Sequence, residues 1–408
     1  MKNIQTILNR IVHIIGLITT ILLVGLILFY TYKKVTNPGD RKFSYDDGPY
    51  IFYLNDTIIK SVIIEQNQNE DFTISEITLN IRDTNELNRA GKYLPAGFIP
   101  FENFQLSDET QNEAEKIAVI SDIHGSFHSF NALLKSNKII DDSSNWIWGE
   151  GHLVINGDVF DRGPNVTQCL WLIKKMETQA KEHGGEVHLL LGNHEMYILN
   201  GKSSDFRQKK YDVICGKLLI SYDKLYGSDT YLGKWLRAKS VVIKINKNLF
   251  VHGGISKNIV DNQFSLTAIN KYFNILINSE HLLNYGINTR DTISLLTSYL
   301  GPLEYRGYFN KNIFNTGQSS LLSNQLIDTI IKYFNADHII IGHTIVKRIK
   351  GLFDNKIIAV NIEFPEDDIL EQNSNCQMLI IEGSNYYISG LDGVKILLFS
   401  DPNTQKDE

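Results

Sequence analysis

The most constraining feature of this 408-residue sequence is a set of short apolar runs, each followed by a polar, glycine-containing turn. The runs lie at residues 117–120, 153–155, 187–191, 249–251 and 338–341. Short runs without polar alternation are typical of strands that are buried on both faces. Apolar patterns with helical spacing lie between them, at residues 127–134, 166–176 and 326–334. This alternation of strands and helices predicts an α/β domain.

Side chains that commonly bind metals follow directly after these runs. In chain order they are Asp122, His124, Asp158, Asn193, His252 and His343. Ligands of open α/β sheets bind at the carboxyl ends of the strands, so we expect these side chains to converge. Neighbouring glycines allow the backbone to turn sharply at these points. The donors are oxygen and nitrogen without thiolate, a set that suits Mn, Fe, Zn, Co or Mg.

The spacing of these residues predicts how two metal ions would be shared. If the segment around Asp122 and His124 is extended, the two side chains point the same way and can bind one ion. Asp158 can bridge to a second ion, because a carboxylate has two oxygens. The second ion would be completed by Asn193, His252 and His343. Two ions roughly 3.5–4 Å apart clamp the attacking and leaving oxygens of an in-line displacement.

Four further residues are candidates for the chemistry beside the ions. His194 follows Asn193 directly and would be free to protonate a leaving alkoxide, oriented and charged by Asp161. Arg162 and Arg306 would bind phosphate oxygens through the planar guanidinium group. We therefore expect a two-metal site that acts on phosphate esters.

The order of these motifs resembles one enzyme family. Asp-x-His-Gly, Gly-Asp-x-x-Asp-Arg-Gly, Gly-Asn-His-Glu, His-Gly-Gly and Gly-His follow one another as in the calcineurin-like metallophosphoesterase superfamily, in its phosphoprotein phosphatase branch. The context of the motifs is similar to bacterial Shewanella-like phosphatases over residues 114–362. That context comprises Gly151-His152-Leu153-Val154, His183-Gly184-Gly185, Trp235-Leu236-Arg237 and the segment 301–307.

The resemblance implies a four-layer α/β/β/α sandwich of two mixed sheets over a dinuclear centre of Mn, Fe, Zn or similar ions. It implies hydrolysis of phosphate monoesters by a metal-bridging hydroxide, with His194 as general acid. A dinucleoside polyphosphate or nucleotide pyrophosphate hydrolase would share every ligand, so this alternative stays open. A membrane-tethered binding protein with an inactive site is disfavoured, because no ligand position is lost.

The sequence departs from the family pattern at three places. Ser121 stands where the family usually has glycine, the last histidine lies in Gly-His-Thr, and the segment 360–364 replaces an expected Asp-Thr-Gly. Glu195 is expected to support the ligands rather than to bind metal. The remaining histidines are expected to be structural or surface residues: His128, His152, His183, His188, His281 and His338.

The N-terminus carries an apolar segment of membrane-spanning length. Residues 11–30 contain no Asp, Glu, Lys or Arg, and about twenty helical residues cross a hydrocarbon layer. We expect a stub at 1–10 and a transmembrane helix at 11–32. A cleaved signal peptide would need small residues after the run, whereas the first alanine is Ala90. Flanking positive charges nearly balance, and we expect a single-pass protein of the bacterial inner membrane with its enzyme domain in the periplasm.

A β-rich segment separates the apolar segment from the motifs. We expect a linker and β-rich extension at 33–113 and a catalytic domain at 114–400. Residues 49–54 and 57–64 predict a hairpin with an Asn-Asp turn, and residues 72–74 and 77–81 favour further strands. The extension is expected to be a spacer that packs on the main domain rather than a separate binding module. The net charge of −6 gives no indication of a nucleic-acid surface.

Overall fold

The computed structural model describes most of the chain after residue 43. The described residues are 44–67, 72–106, 110–111, 114–202, 207–279, 286–309, 322–370 and 374–401, together with Gly16 and Thr20. The predicted stub at 1–10 and almost all of the predicted membrane helix at 11–32 lie outside them. Among the described residues, no helix is both long enough and apolar enough to span a bilayer.

The strands are short, as the sequence predicts. They are β1 (Asp47–Tyr53), β2 (Ile58–Gln66), β3 (Phe72–Asn80), β4 (Thr110–Gln111), β5 (Lys116–Ile120), β6 (His152–Ile155), β7 (Glu186–Leu189), β8 (Val242–Ile245), β9 (Asn248–Val251), β10 (His338–Ile341), β11 (Lys350–Leu352), β12 (Ile357–Ala359), β13 (Gln377–Glu382), β14 (Asn385–Gly390) and β15 (Lys395–Ser400). The apolar runs of the sequence are β5, β6, β7, β9 and β10, so their prediction as strands is confirmed. β7 ends earlier than predicted, because the Leu191 N–H leaves the sheet to bond the Ser240 carbonyl at 3.0 Å.

Helices connect these strands. They are α1 (Thr84–Arg89), α2 (Phe127–Ser136), α3 (Val166–Glu182), α4 (Asn193–Leu199), α5 (Lys209–Leu218), α6 (Tyr231–Arg237), α7 (Lys257–Asp261), α8 (Leu266–Asn278), α9 (Ile287–Leu296) and α10 (Asn324–Phe334). The apolar patterns at 127–134, 166–176 and 326–334 correspond to α2, α3 and α10. Each of these helices buries the residues of its apolar pattern, as an amphipathic surface helix does.

Two mixed sheets form the α/β part of the described chain. One has the order β11-β12-β10-β9-β8-β4 and the other the order β15-β14-β13-β5-β6-β7. The strands that precede the predicted ligands run parallel to their neighbours, β5 beside β6 beside β7 and β9 beside β10. Antiparallel strands extend each sheet on one or both sides. This matches the expected α/β fold with two mixed sheets.

The two sheets pack face to face, which brings their strand ends together. Asn156, directly after β6, donates its side-chain N–H to the Val251 carbonyl at the end of β9, at 3.1 Å. Near the other end of the sheets, the Tyr386 hydroxyl of β14 donates to Asn248 of β9 at 2.8 Å. Helix α3 packs against β7 and helix α8 against β8. The carboxyl ends of β6 and β9 therefore meet at one edge of the sandwich.

The β-rich extension forms a separate antiparallel sheet in the order β1-β2-β3. The predicted hairpin is confirmed, and Asn55 closes its turn by accepting from the N–H groups of Thr57 and Ile58, both at 2.9 Å. The two predicted strands at 72–74 and 77–81 are one strand, because β3 pairs with β2 without a break in register.

The extension packs against the α/β part through β1. The Trp171 indole N–H of α3 donates to the Pro49 carbonyl at 3.0 Å. Lys210 of α5 and Asp47 of β1 form an ion pair at 2.8 Å in which neither side chain is exposed. Removing one partner of such a pair leaves a buried charge and costs roughly 3–5 kcal/mol. These contacts fit the expected spacer that packs on the main domain.

Candidate metal centre

The predicted ligands lie on loops with unusual backbone conformation. Asp122, His124, Asp158 and His343 have φ angles of 56°, 47°, 58° and 59°. These values fall in the left-handed region, which residues other than glycine seldom adopt. The prediction that Asp122 and His124 share an extended segment is therefore wrong. The His124 N–H bonds the Asp158 carbonyl at 3.0 Å, so the two loops hold each other in this strained form.

One group of donor atoms surrounds His124. Its Nε2 lies 3.9 Å from Asp122 Oδ1 and 3.8 Å from Asp158 Oδ2. Its Nδ1 lies 2.7 Å from the Phe160 carbonyl, which can only accept, so Nδ1 carries the proton. The lone pair of Nε2 then faces the two carboxylates. Three acceptors that point at one another without a proton between them form a cation site.

A second group surrounds His252. Its Nδ1 donates to the Asn156 carbonyl at 2.8 Å, which leaves the Nε2 lone pair facing inwards. This Nε2 lies 3.1 Å from Asp158 Oδ2 and 3.1 Å from Asn193 Oδ1. Asp158 thus faces ring nitrogens of both groups and is placed to bridge them, as the sequence predicts.

His343 completes the second group. One ligand atom each from Asp158, His252 and His343 lies within 4.8 Å of the other two. The His343 Nε2 is buried and has no hydrogen-bond partner, and Glu304 Oε2 lies 3.5 Å away. A buried polar atom without a partner needs an explanation. A divalent ion would supply the missing partner, so the donor set fits the metal ions that the sequence predicts.

The pKa shifts follow from burial and from the carboxylates. Burial lowers the pKa of His124 to about 3 and, helped by the charge of His252, that of His343 to about 2. Both rings are therefore neutral at pH 7, which is the form that binds metals. Burial opposes the charge of His252, but Asp158 and Asp122 raise its pKa to about 10. Without a metal, a proton occupies the place between Asp158 and His252 that a cation would take.

His194 is set up to carry a proton. Its Nδ1 lies 2.5 Å from Asp161 Oδ2, and its Nε2 lies 3.9 Å from Asp158 Oδ2. Burial by itself would lower the pKa of His194, but the carboxylates of Asp158 and Asp161 outweigh it and raise the pKa. The structure therefore brings the predicted acid pair to the edge of the donor cluster.

The predicted arginines lie beside the cluster. The Arg306 Nη1 donates to the His343 carbonyl at 3.0 Å and to the Thr344 hydroxyl at 3.2 Å. Arg162 follows Asp161 directly, and its Nη1 lies 3.8 Å from Glu366 Oε1 on the surface. Both guanidinium groups are partly exposed and can reach a ligand without losing all of their hydration.

Supporting residues hold the ligands in place. The Asn361 side chain donates to Asp122 Oδ1 at 2.7 Å, and the Ser121 hydroxyl donates to Asp122 Oδ2 at 2.5 Å. Sequence reasoning missed both roles, although both residues lie in segments that depart from the family pattern. Glu195 accepts the N–H groups of Gly192 and Asp158 at 2.7 and 2.8 Å, so it ties two ligand loops together, as predicted.

Most other histidines have partners outside the cluster. His128 bonds Asp368 at 2.8 Å and His338 lies 3.1 Å from Asp401. The exposed His183 bonds the carbonyl of Gln179 at 2.8 Å. His281 lies outside the described residues. These placements agree with the expectation that these histidines take no part in the centre.

Comparison with known proteins identifies relatives. The calcineurin-like phosphoesterase family model matches residues 115–347. Shewanella-like protein phosphatase 1 of Plasmodium berghei is 32% identical over 159 residues, which are 38% of this chain and 42% of that protein. Shewanella-like protein phosphatase 2 of Arabidopsis thaliana is 30% identical over 118 residues, 29% of each chain. The chain thus spans less than half the length of these two relatives.

A solved structure matches over a greater length. The crystal structure of a cold-active protein-tyrosine phosphatase from a psychrophilic Shewanella species superposes with a TM-score of 0.72 and 32% identity. The match covers 87% of this chain and 99% of that one. The family implies divalent metal ions and phosphorylated substrates, and the candidate ligand groups lie at the matching strand ends. The chain therefore belongs to the calcineurin-like phosphoesterase family and is a phosphoesterase hydrolase.

Proposed function

We propose that this enzyme is a phosphatase that hydrolyses phosphate monoesters on phosphorylated proteins. One observation carries the proposal: metal-ligand atoms from two sheets converge around Asp158, directly beside the His194–Asp161 pair. Such a site needs only a phosphate oxygen near the cations and a leaving oxygen near the His194 ring. The printed names of the relatives, which are protein phosphatases, support a phosphoprotein substrate.

The ligands divide into two sets that share Asp158. Asp122, His124 and Asp158 would hold the first ion. The second would be held by Asp158, Asn193, His252 and His343. Divalent ions bound there, of the Mn, Fe or Zn type, would acidify a water molecule and offset the charge of the phosphate.

The remaining groups would act on the substrate directly. His194 donates its Nε2 proton to the leaving alkoxide, while Asp161 holds the Nδ1 proton and keeps the ring oriented. Arg162 and Arg306 bind the phosphate oxygens. The hydrogen bonds from Arg306 to the His343 carbonyl and to Thr344 fix its guanidinium plane before substrate arrives.

A substrate comparison tests this function. We expect the purified enzyme with Mn²⁺ to hydrolyse phosphopeptides with a kcat/KM at least about tenfold above that for diadenosine tetraphosphate, a gap of about 1.4 kcal/mol. Tyrosine, serine and threonine phosphopeptides are compared in parallel, with inorganic phosphate release as the readout. A preference for diadenosine tetraphosphate would replace the proposal by the dinucleotide alternative. Absence of turnover with every divalent ion would overturn both.

We also propose that residues 11–32 anchor the enzyme in a membrane, with the enzyme domain outside the bacterial inner membrane. The absence of Asp, Glu, Lys and Arg from residues 11–30 supports the anchor. Within this segment, the Thr20 hydroxyl donates to the Gly16 carbonyl at 2.8 Å, as a hydroxyl in a lipid-embedded helix must. The full chain should stay with membranes during alkaline carbonate extraction, and a chain starting at residue 36 should not. Release of both into the supernatant would refute the anchor.

A further inference from the structure

A second group of metal-binding side chains lies at the opposite end of β6 and β7 from the centre. His152 is the first residue of β6, whereas Asp158 follows the end of that strand. In the parallel register His152 lies beside Glu186, and the next paired position on that face of β7 is His188. Side chains two residues apart on a strand share one face of the sheet. The backbone therefore places the two imidazoles and the carboxylate together.

The two rings contact each other closely. His152 Nδ1 lies 3.0 Å from His188 Nε2, and the ring planes are inclined by 24°. Two N–H groups cannot face each other at this distance, so at least one of the nitrogens presents a lone pair. Glu186 Oε1 lies 3.9 Å from the His188 ring, and one ligand atom from each of the three residues lies within 4.8 Å of the others.

The surroundings allow a cation to enter. Glu186 and His188 line a cavity of about 230 Å³ together with Glu177, Lys181 and Lys239. The Lys239 charge is matched by Glu177 at 2.8 Å, so it does not oppose a cation alone. His188 is buried and His152 is half-buried, which gives the pair a partly desolvated position with access from one side.

We propose that His152, His188 and Glu186 bind a zinc ion that is separate from the metal centre. Two imidazoles and one carboxylate form a common zinc ligand set, with water as the fourth ligand. With Zn–N bonds of about 2.0–2.1 Å, tetrahedral donors lie roughly 3.3 Å apart. The observed ring contact needs to open by only a few tenths of an ångström. His152 belongs to the Gly-His-Leu-Val segment, which the phosphatase chemistry leaves unused.

The ion would join two strands that carry the active site. It would link the amino ends of β6 and β7, whose carboxyl ends lead to Asp158 and Asn193. At about 3.3 Å per strand residue, the site lies roughly 10 Å from the centre. The zinc would therefore stabilise the sheet without touching the substrate.

Zinc stoichiometry of the full chain in detergent tests this site, with a chromophoric chelator as competitor. Wild type should bind three Zn²⁺ per chain and His152→Gln two, with phosphatase turnover changed by no more than about twofold, since distant sites act independently. The matched control His183→Gln, at an exposed histidine of the same sheet edge, should bind as wild type does. In an Asp158→Asn background one Zn²⁺ should remain, and adding His152→Gln should remove it.

Thermal unfolding guards against misfolded variants. In the Asp158→Asn background Zn²⁺ should raise the unfolding midpoint by at least about 2 °C. It should not do so after adding His152→Gln, although both variants should give the same circular dichroism spectrum. Equal zinc binding with and without His152 would overturn the site, as would equal loss in His183→Gln. The same conclusion would follow if Asp158→Asn bound no zinc, because the rings would then share only a proton.

Discussion

Asp158→Asn is expected to release both ions of the centre and to lower phosphatase turnover by roughly 10³-fold or more. The Asp158 Oδ2 lies 3.8 Å from the His124 ring and 3.1 Å from the His252 ring, so it faces both ligand groups. The amide has nearly the same shape but no charge, and it offers only one oxygen. Metal ions supply several kcal/mol of transition-state stabilisation, and each 1.4 kcal/mol is about tenfold in rate.

Metal content by elemental analysis and turnover of an aryl phosphate measure the two effects together. Asp401→Asn is the matched control, because Asp401 is also a buried aspartate beside a histidine, His338, at the start of β10. We expect that control to keep both ions and most of its activity. If Asp158→Asn kept both ions at saturating metal, Asp158 would not be the bridging ligand. If it lost them but kept its turnover, the reaction would not depend on the centre.

Short-range patterns in the sequence predict the strands and the ligand loops. A buried strand needs only four or five apolar residues, and its end is marked by glycine and polar side chains within the next few positions. That is why the runs before Asp122, Asp158 and His252 could be recognised one by one. Their polar ends converge because parallel strands of both sheets finish at one edge of the sandwich.

Other features depend on contacts that local patterns do not contain. Asn361 donates to Asp122 across 239 positions, and the Asp47–Lys210 ion pair joins the extension to α5. The left-handed backbone at Asp122 and His124 was also missed, since it is imposed by bonds to the loop after β6. Residues other than glycine adopt such φ angles where the surrounding structure enforces them.

His194→Asn is expected to keep both ions and to lower turnover of an alkyl phosphate such as a phosphoserine peptide by roughly 10²–10⁴-fold, the range for a lost general acid. Asparagine can still bond Asp161 but has no proton to give at the position of Nε2. An aryl phosphate with an acidic phenol needs less help from an acid, so its turnover should fall by a smaller factor.

The difference between the two substrates separates proton donation from a structural role. A structural role for His194 would slow both substrates by the same factor, because the site would be distorted for each. Asp161→Asn is the companion variant: it weakens the 2.5 Å bond to the ring and removes the charge that raises the His194 pKa. It should therefore slow the alkyl substrate in the same direction but by less. Unchanged turnover of both substrates in His194→Asn would exclude this histidine as the acid, and the leaving oxygen would then take its proton from solvent.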